Sequence, residues 1–159
     1  MQGDAQVIDF LNKALLNELT AINQYWLHYR LLHHWGLHKL AEFERHESID
    51  EMKHADKLAD RILFLDGLPN FQALGRLKVG ENVEEILKAD LALENEAIPL
   101  LKEAIAHCEA VRDYVSRDLF AEILANEEDH VDTLETQFEM IERMGLPNYV
   151  QLNSEAKEA

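Results

Sequence analysis

At 159 residues the chain fits one domain, large enough to bury roughly 70% of its unfolded surface, and 47% hydrophobic residues with 6 Gly and 3 Pro leave long breaker-free stretches that read as all-α. The formal charge of -16, from 31 acidic and 15 basic residues, excludes nucleic acid and an anionic membrane surface as partners and favours cations. One cysteine, Cys108, excludes an internal disulfide and a Cys-rich metal site and fits a cytoplasmic location, while neither the opening MQGDAQVIDF nor any apolar run reads as a signal peptide or a membrane span.

A stripe of Val7, Leu11, Ala14, Glu18, Ala21, Tyr25, His28 and Leu32, spaced by threes and fours, predicts a first helix over about 5–34. Gly36 permits a tight turn, and Leu40, Glu44, Glu47, Glu51, His54, Leu58, Ile62 and Leu65 mark a second, antiparallel helix over about 37–65. The stretch 66–81 holds Gly67, Gly75, Gly80 and Pro69 and reads as a long connection rather than a hairpin turn. A third helix follows over about 82–111 through Val83, Leu87, Glu94, Ala97, Leu101, Ile105 and Cys108, and a fourth over about 113–144 through Phe120, Ile123, Glu127, His130, Leu134, Phe138 and Ile141. Pro99 removes the bond to the Asn95 carbonyl, which predicts a kink just after Glu94. Gly145 and Pro147 stop the fourth helix and leave room for a short fifth over about 148–154. Two hairpins joined by one long crossover make residues 1–159 a single ferritin-like four-helix bundle.

Each long stripe carries a glutamate near its middle: Glu18, Glu51, Glu94 and Glu127. Burying an unpaired carboxylate costs several kcal/mol, so four facing one core require protons, cationic partners or metal. His54 and His130 follow Glu51 and Glu127 at three residues, on the same helix faces, and these are the only two E-x-x-H strings in the chain. Glu18 and Glu51 are 33 apart, as are Glu94 and Glu127, and each ligand of the first half lies 76 before its counterpart. The set therefore has internal two-fold pseudosymmetry. One Glu from each of two helices and Glu-x-x-His from each of the other two is the di-iron carboxylate pattern of such bundles. Four carboxylates balance two Fe(II), and the donor set suits iron or manganese, with zinc a redox-silent alternative.

With these residues in place the chain resembles the bacterioferritins along nearly all its length, including EMKHADKLADRILFLDGLPN from Glu51 to Asn70. The resemblance implies iron storage and detoxification by a ferroxidase that oxidises Fe(II) with oxygen or hydrogen peroxide. Each chain then holds two iron ions, bridged by Glu51 and Glu127, with Glu18 and His54 on one and Glu94 and His130 on the other. It also implies a twenty-four-subunit shell around a mineral cavity, haem b shared between two subunits, and a small ferredoxin-type donor for iron release. Met52 is the implied axial haem ligand. It is turned ~100° from Glu51, beside an offset apolar stripe of Leu19, Ile22 and Trp26 that calls for a partner copy. His46 and Asp50 on the opposite flank are implied as a cavity-side iron site, with a solvated pair as the alternative. Tyr25 is positioned to hydrogen-bond a site carboxylate, whereas His28, His33, His34, His38 and His107 read as solvated or satisfied core residues. The competing functions are a haem-binding electron-transfer bundle and another di-iron oxidase or peroxidase. One cysteine argues against the rubrerythrin-like version of the latter.

Overall fold

The computed structural model describes residues 1–155; residues 156–159, the end of the polar tail, lie outside the described residues. Five helices follow in order: α1 (Ala5–His34), α2 (His38–Phe64), α3 (Val83–Ala110), α4 (Tyr114–Met144) and α5 (Leu146–Leu152). There is no strand among the described residues, and no helix among them is long and apolar enough to cross a membrane. α1 packs on α2 and α3 on α4, and α1 against α3 joins the two hairpins.

Helix starts follow side-chain chemistry. Asp4, Asn82 and Asp113 accept from the backbone N–H three residues on, at 2.9, 3.0 and 3.0 Å, satisfying donors that a first turn leaves free. α5 begins at Leu146 rather than 148, because Gly145 at φ 80° both ends α4 and opens α5. Pro147 then falls in the first turn, where its missing N–H removes no helical bond. α3 continues unbroken through Pro99; Pro99 and Asn95 are both exposed, so the carbonyl deprived of its donor is on the solvent side.

The crossover has no partner strand, yet four of its backbone donors are satisfied by α1. Asn12, Thr20, Gln24 and His28 line one row of α1, at multiples of four residues, and receive the N–H groups of Asn70 (2.9 Å), Gly75 (2.8 Å), Lys78 (2.9 Å) and Gly80 (3.0 Å) in turn. This polar rail on the helix holds the extended segment in register as it climbs the bundle.

The core is divided. One apolar cluster, with Val7, Leu11, Leu15, Leu58, Ile62, Cys108 and Phe120, fills one end. A second, with Leu32, Leu40, Ile86, Leu87, Leu134 and Tyr149, fills the other. Between them only Ala21, Tyr25 and Leu93 form a small apolar group, and the remaining space is taken by buried Glu and His side chains.

Gly80 is where the crossover meets α3. A Cβ there would lie 2.3 Å from Ile86 N and 2.6 Å from its Cα, backbone that cannot yield as a side chain can. Gly80→Ala is therefore expected to destabilise the protein by about 1–3 kcal/mol and to lower the thermal midpoint; an unchanged midpoint would mean that the start of α3 moves freely.

Candidate metal centre

Glu18 on α1, Glu51 and His54 on α2, Glu94 on α3, and Glu127 and His130 on α4 converge at the middle of the bundle, all buried. The i, i+3 spacing within α2 and α4 puts each Glu and its His on one face, and the helix packing brings the four faces together. His54 Nδ1 is 3.6 Å from Glu18 Oε2, 3.6 Å from Glu51 Oε2 and 3.4 Å from Glu127 Oε1. His130 Nδ1 mirrors it, at 3.6 Å from Glu94 Oε1, 3.4 Å from Glu51 Oε1 and 3.5 Å from Glu127 Oε2. Glu51 and Glu127 thus each turn one oxygen to each histidine, and the six residues fall into two ligand groups that share this pair.

These separations are long for hydrogen bonds, and both Nδ1 atoms and at least one oxygen of each of the four glutamates have no hydrogen-bond partner. They are the spacings that donors adopt around a common ion: atoms each ~2.1 Å from one metal lie ~3.0–3.5 Å apart. Six buried residues with orphaned donor atoms, aimed at two points, fit two divalent cations.

Electrostatics give the same reading. Burial, with Glu127 adding to it, lifts Glu18 to about 7 against the opposing pull of His54. Burial works against charge on both histidines, but the Glu127 and Glu18 carboxylates hold His54 up at about 9, and Glu127 and Glu47 hold His130 up at about 10. Glu127 is lowered in return, because His130 and His54 outweigh its burial. Without metal the two imidazolium ions therefore serve as the cations of the cluster.

The surroundings of the two halves differ. Tyr25 donates its hydroxyl hydrogen to Glu94, the contact expected from its place on the stripe. His130 Nε2 is held by Glu47, so the ring is fixed with Nδ1 facing the site, as an outer carboxylate fixes many metal-ligating histidines. A cavity of about 10 Å³, room for about one water or ion, is shared by the two halves: it is lined by all four glutamates, by Asn17 and Ala21 of α1 and by Leu93 and Ala97 of α3.

Met52 lies outside the cluster, 41% exposed, in a surface groove with Ile49, Lys53, Asp56 and Lys57. Trp26 is likewise exposed, whereas Leu19 and Ile22 are partly buried against the core, so the apolar patch is narrower than the stripe suggested. His46 stands apart: it is largely exposed, 3.9 Å from Glu42, and belongs to none of the ligand groups among the described residues. Asp50 instead groups with Glu47 and His130.

The roles of Glu44, Glu47 and Asp90 were not read from the sequence. Glu44 and Glu47 sit on the inward stripe of α2, which was the available signal, but periodicity does not name a partner. His28, expected as a satisfied core residue, is fully buried and bonded to Asp90 at 2.8 Å and to Gly80 N–H at 3.0 Å.

Comparison with known proteins places this geometry in context. The ferritin-like domain family matches residues 8–144. The chain is 52% identical to a bacterioferritin of Brucella melitensis biotype 1, over 97% of this chain and 96% of the relative. It is 50% identical to a bacterioferritin of Rhodobacter capsulatus, over 100% and 99%, and 52% identical to one of Streptomyces coelicolor, over 94% and 90%.

Because a protonated Nδ1 cannot ligate, metal must displace one proton from each histidine, and at pH 7 about half a proton from Glu18. Loading the metal-free protein with two Zn(II) per chain is expected to release roughly two to three protons, and occupancy should weaken as pH falls. A pH-indicator titration in dilute buffer measures this; release of fewer than about one proton would mean that the histidines are neutral before metal arrives.

Proposed function

The chain belongs to the bacterioferritin family, and on that premise we propose that it is an iron-storage ferroxidase whose substrate is Fe(II) at Glu18, Glu51, His54, Glu94, Glu127 and His130. The observation that carries this reading is the shared pair, Glu51 and Glu127, each with one oxygen toward each histidine. Such a pair holds two ions side by side, so that two Fe(II) can together give two electrons to one oxidant, dioxygen or hydrogen peroxide. Glu18 and His54 complete one ion's ligands, Glu94 and His130 the other's. Four carboxylates and two Fe(II) cancel in charge, which makes the dry interior tolerable for the loaded centre.

Oxidation adds two positive charges, and the carboxylates of Glu47 and Asp50 beside His130 are placed to offset part of them, the reduced oxidant supplying the rest. Tyr25 gives its hydrogen bond to Glu94, and Glu47 keeps the His130 ring oriented while its Nδ1 is engaged. Asp50, grouped with Glu47 and His130, offers the next carboxylate beyond the centre. With His46, one turn away but outside that group, it is proposed as a cavity-side iron site on the way to a mineral inside a twenty-four-subunit shell.

Glu127→Ala or Glu18→Ala is expected to slow the rapid phase of Fe(II) oxidation by about 100-fold or more, with the fold retained because the apolar clusters at the two ends hold the helices together. Stopped-flow absorbance reads the rate, and wild-type kinetics in both variants would sink the assignment.

We also propose that Met52 ligates haem b jointly with the same residue of a second subunit. Its exposed thioether, with Ile49 beside it and Lys53 available for the haem carboxylates, suits a haem seated between two copies about a two-fold axis. When bound, haem supplies a one-electron path, and a small ferredoxin-type donor is the proposed source of electrons for iron release. Met52→Leu should abolish or shift the haem absorbance while leaving rapid Fe(II) oxidation within about two-fold of wild type, since residues 51 and 52 face different surroundings. An unchanged haem spectrum would reduce Met52 to a packing residue.

A further inference from the structure

Four residues before Glu94 on α3 and seven before Glu51 on α2, a second set of ionisable side chains meets inside the bundle. Glu44, Asp90 and His28 are each 0% exposed, and one ligand atom from each lies within 4.8 Å of the others. At 1.5 Å of rise per residue, Glu44 is ~10 Å along α2 from Glu51, so the two clusters are distinct.

The hydrogen bonds fix the charge of this group. Gly80 N–H donates to His28 Nε2, which therefore carries a lone pair, and the ring proton sits on Nδ1, donated to Asp90 Oδ1 at 2.8 Å. His28 is thus neutral. Gln24 donates to the same Asp90 oxygen at 3.0 Å. Neither oxygen of Glu44 nor Asp90 Oδ2 accepts from a donor on another residue; the two carboxyls face each other, close enough to share a proton, and among the described residues no Lys or Arg is paired with either carboxylate.

One proton shared between Glu44 and Asp90 engages only two of those three oxygens and leaves a net negative charge in a dry interior without a counter-ion. One divalent cation engages all three oxygens and cancels both charges. We propose that Glu44 and Asp90 form a separate site for one hard divalent cation, bound through Glu44 Oε1, Glu44 Oε2 and Asp90 Oδ2. His28 and Gln24 hold Asp90 in place by occupying its other oxygen, and Gly80 holds His28. The donors are carboxylate oxygens alone, since His28 has no free nitrogen, so the class of ion is Mn(II), Fe(II), Mg(II) or Ca(II) rather than a soft metal. The proposal does not rest on the ferroxidase reading, because none of its ligands is shared with the central cluster.

The probe is Mn(II), soaked into crystals of the assembled protein until both central positions show anomalous scattering. A third peak at Glu44 and Asp90 is expected in every chain, giving about three ions instead of two. Two filled central positions with no third peak would overturn the proposal and leave the shared proton as the occupant. Glu44→Gln, whose new amide can donate to Asp90, should lose the third peak alone; a third peak that persists in that variant also overturns it. Should the variant fail to assemble, the wild-type soak decides.

Discussion

The fold is organised around four buried carboxylates whose proximity must be offset by positive charge. Glu18, Glu51, Glu94 and Glu127, each at most 3% exposed, meet where an ordinary bundle would place leucines. Their mutual repulsion and lost hydration cost several kcal/mol per ion, and His54 and His130 cancel only part of it. The compensation lies at the two ends. Apolar clusters from Val7 to Phe120 and from Leu32 to Tyr149 make the contacts that hold the helices together, so the belt between them can be arranged for binding instead of packing. Local conflict with good core design marks a functional site, and here its largest concentration lies between the two apolar ends.

The crossover serves the same layer. A short turn between α2 and α3 would set the second hairpin in a different relation to the first, whereas the long connection returns the chain along α1 and presents Glu94 and Glu127 opposite Glu18 and Glu51. Its length would leave backbone donors unsatisfied, and the polar row Asn12, Thr20, Gln24 and His28 supplies acceptors for four of them. The row lies on a helix whose inward stripe already carries Glu18 and Tyr25, so α1 contributes both a ligand face and a docking face. His28 joins them, since the ring that accepts from Gly80 also orients Asp90.

What the sequence made legible followed helical periodicity. The four long helices and the central ligand set rest on contacts at i, i+3 and i+4, which are fixed by helix geometry and visible in a string of letters. The start of α5 was misplaced because Pro147 reads equally as a stop and as a first-turn residue, and Gly145 resolves that only once its φ is known. The partners of Asp90 were invisible for a different reason. Gln24 and His28 are 66 and 62 residues away, across a crossover whose register is set by side-chain acceptors, and no local pattern encodes it. Likewise Glu47 stands on the α2 stripe, but that it holds His130 depends on how α2 packs against α4.

The ligand set is pseudosymmetric and its environment is not. The small cavity is common to both halves, lined by all four glutamates with Asn17 and Ala21 of α1 and Leu93 and Ala97 of α3, but burial, reinforced by Glu127, lifts Glu18 to about 7. Glu94 and His130 are instead tied down, the first by Tyr25 and the second by Glu47, with Asp50 extending the acidic path along α2. At the Glu18 half the carboxyl can shed its proton near neutral pH. On the α2 and α4 side the next acceptors are carboxylates already aligned behind a fixed imidazole. A repeat of 76 residues thus supplies two equivalent ligand triads, and the packing around them makes one the more adaptable position and the other the more rigid. Two ions held there would exchange differently although their immediate ligands match, as expected when outer partners set the mobility of inner ones.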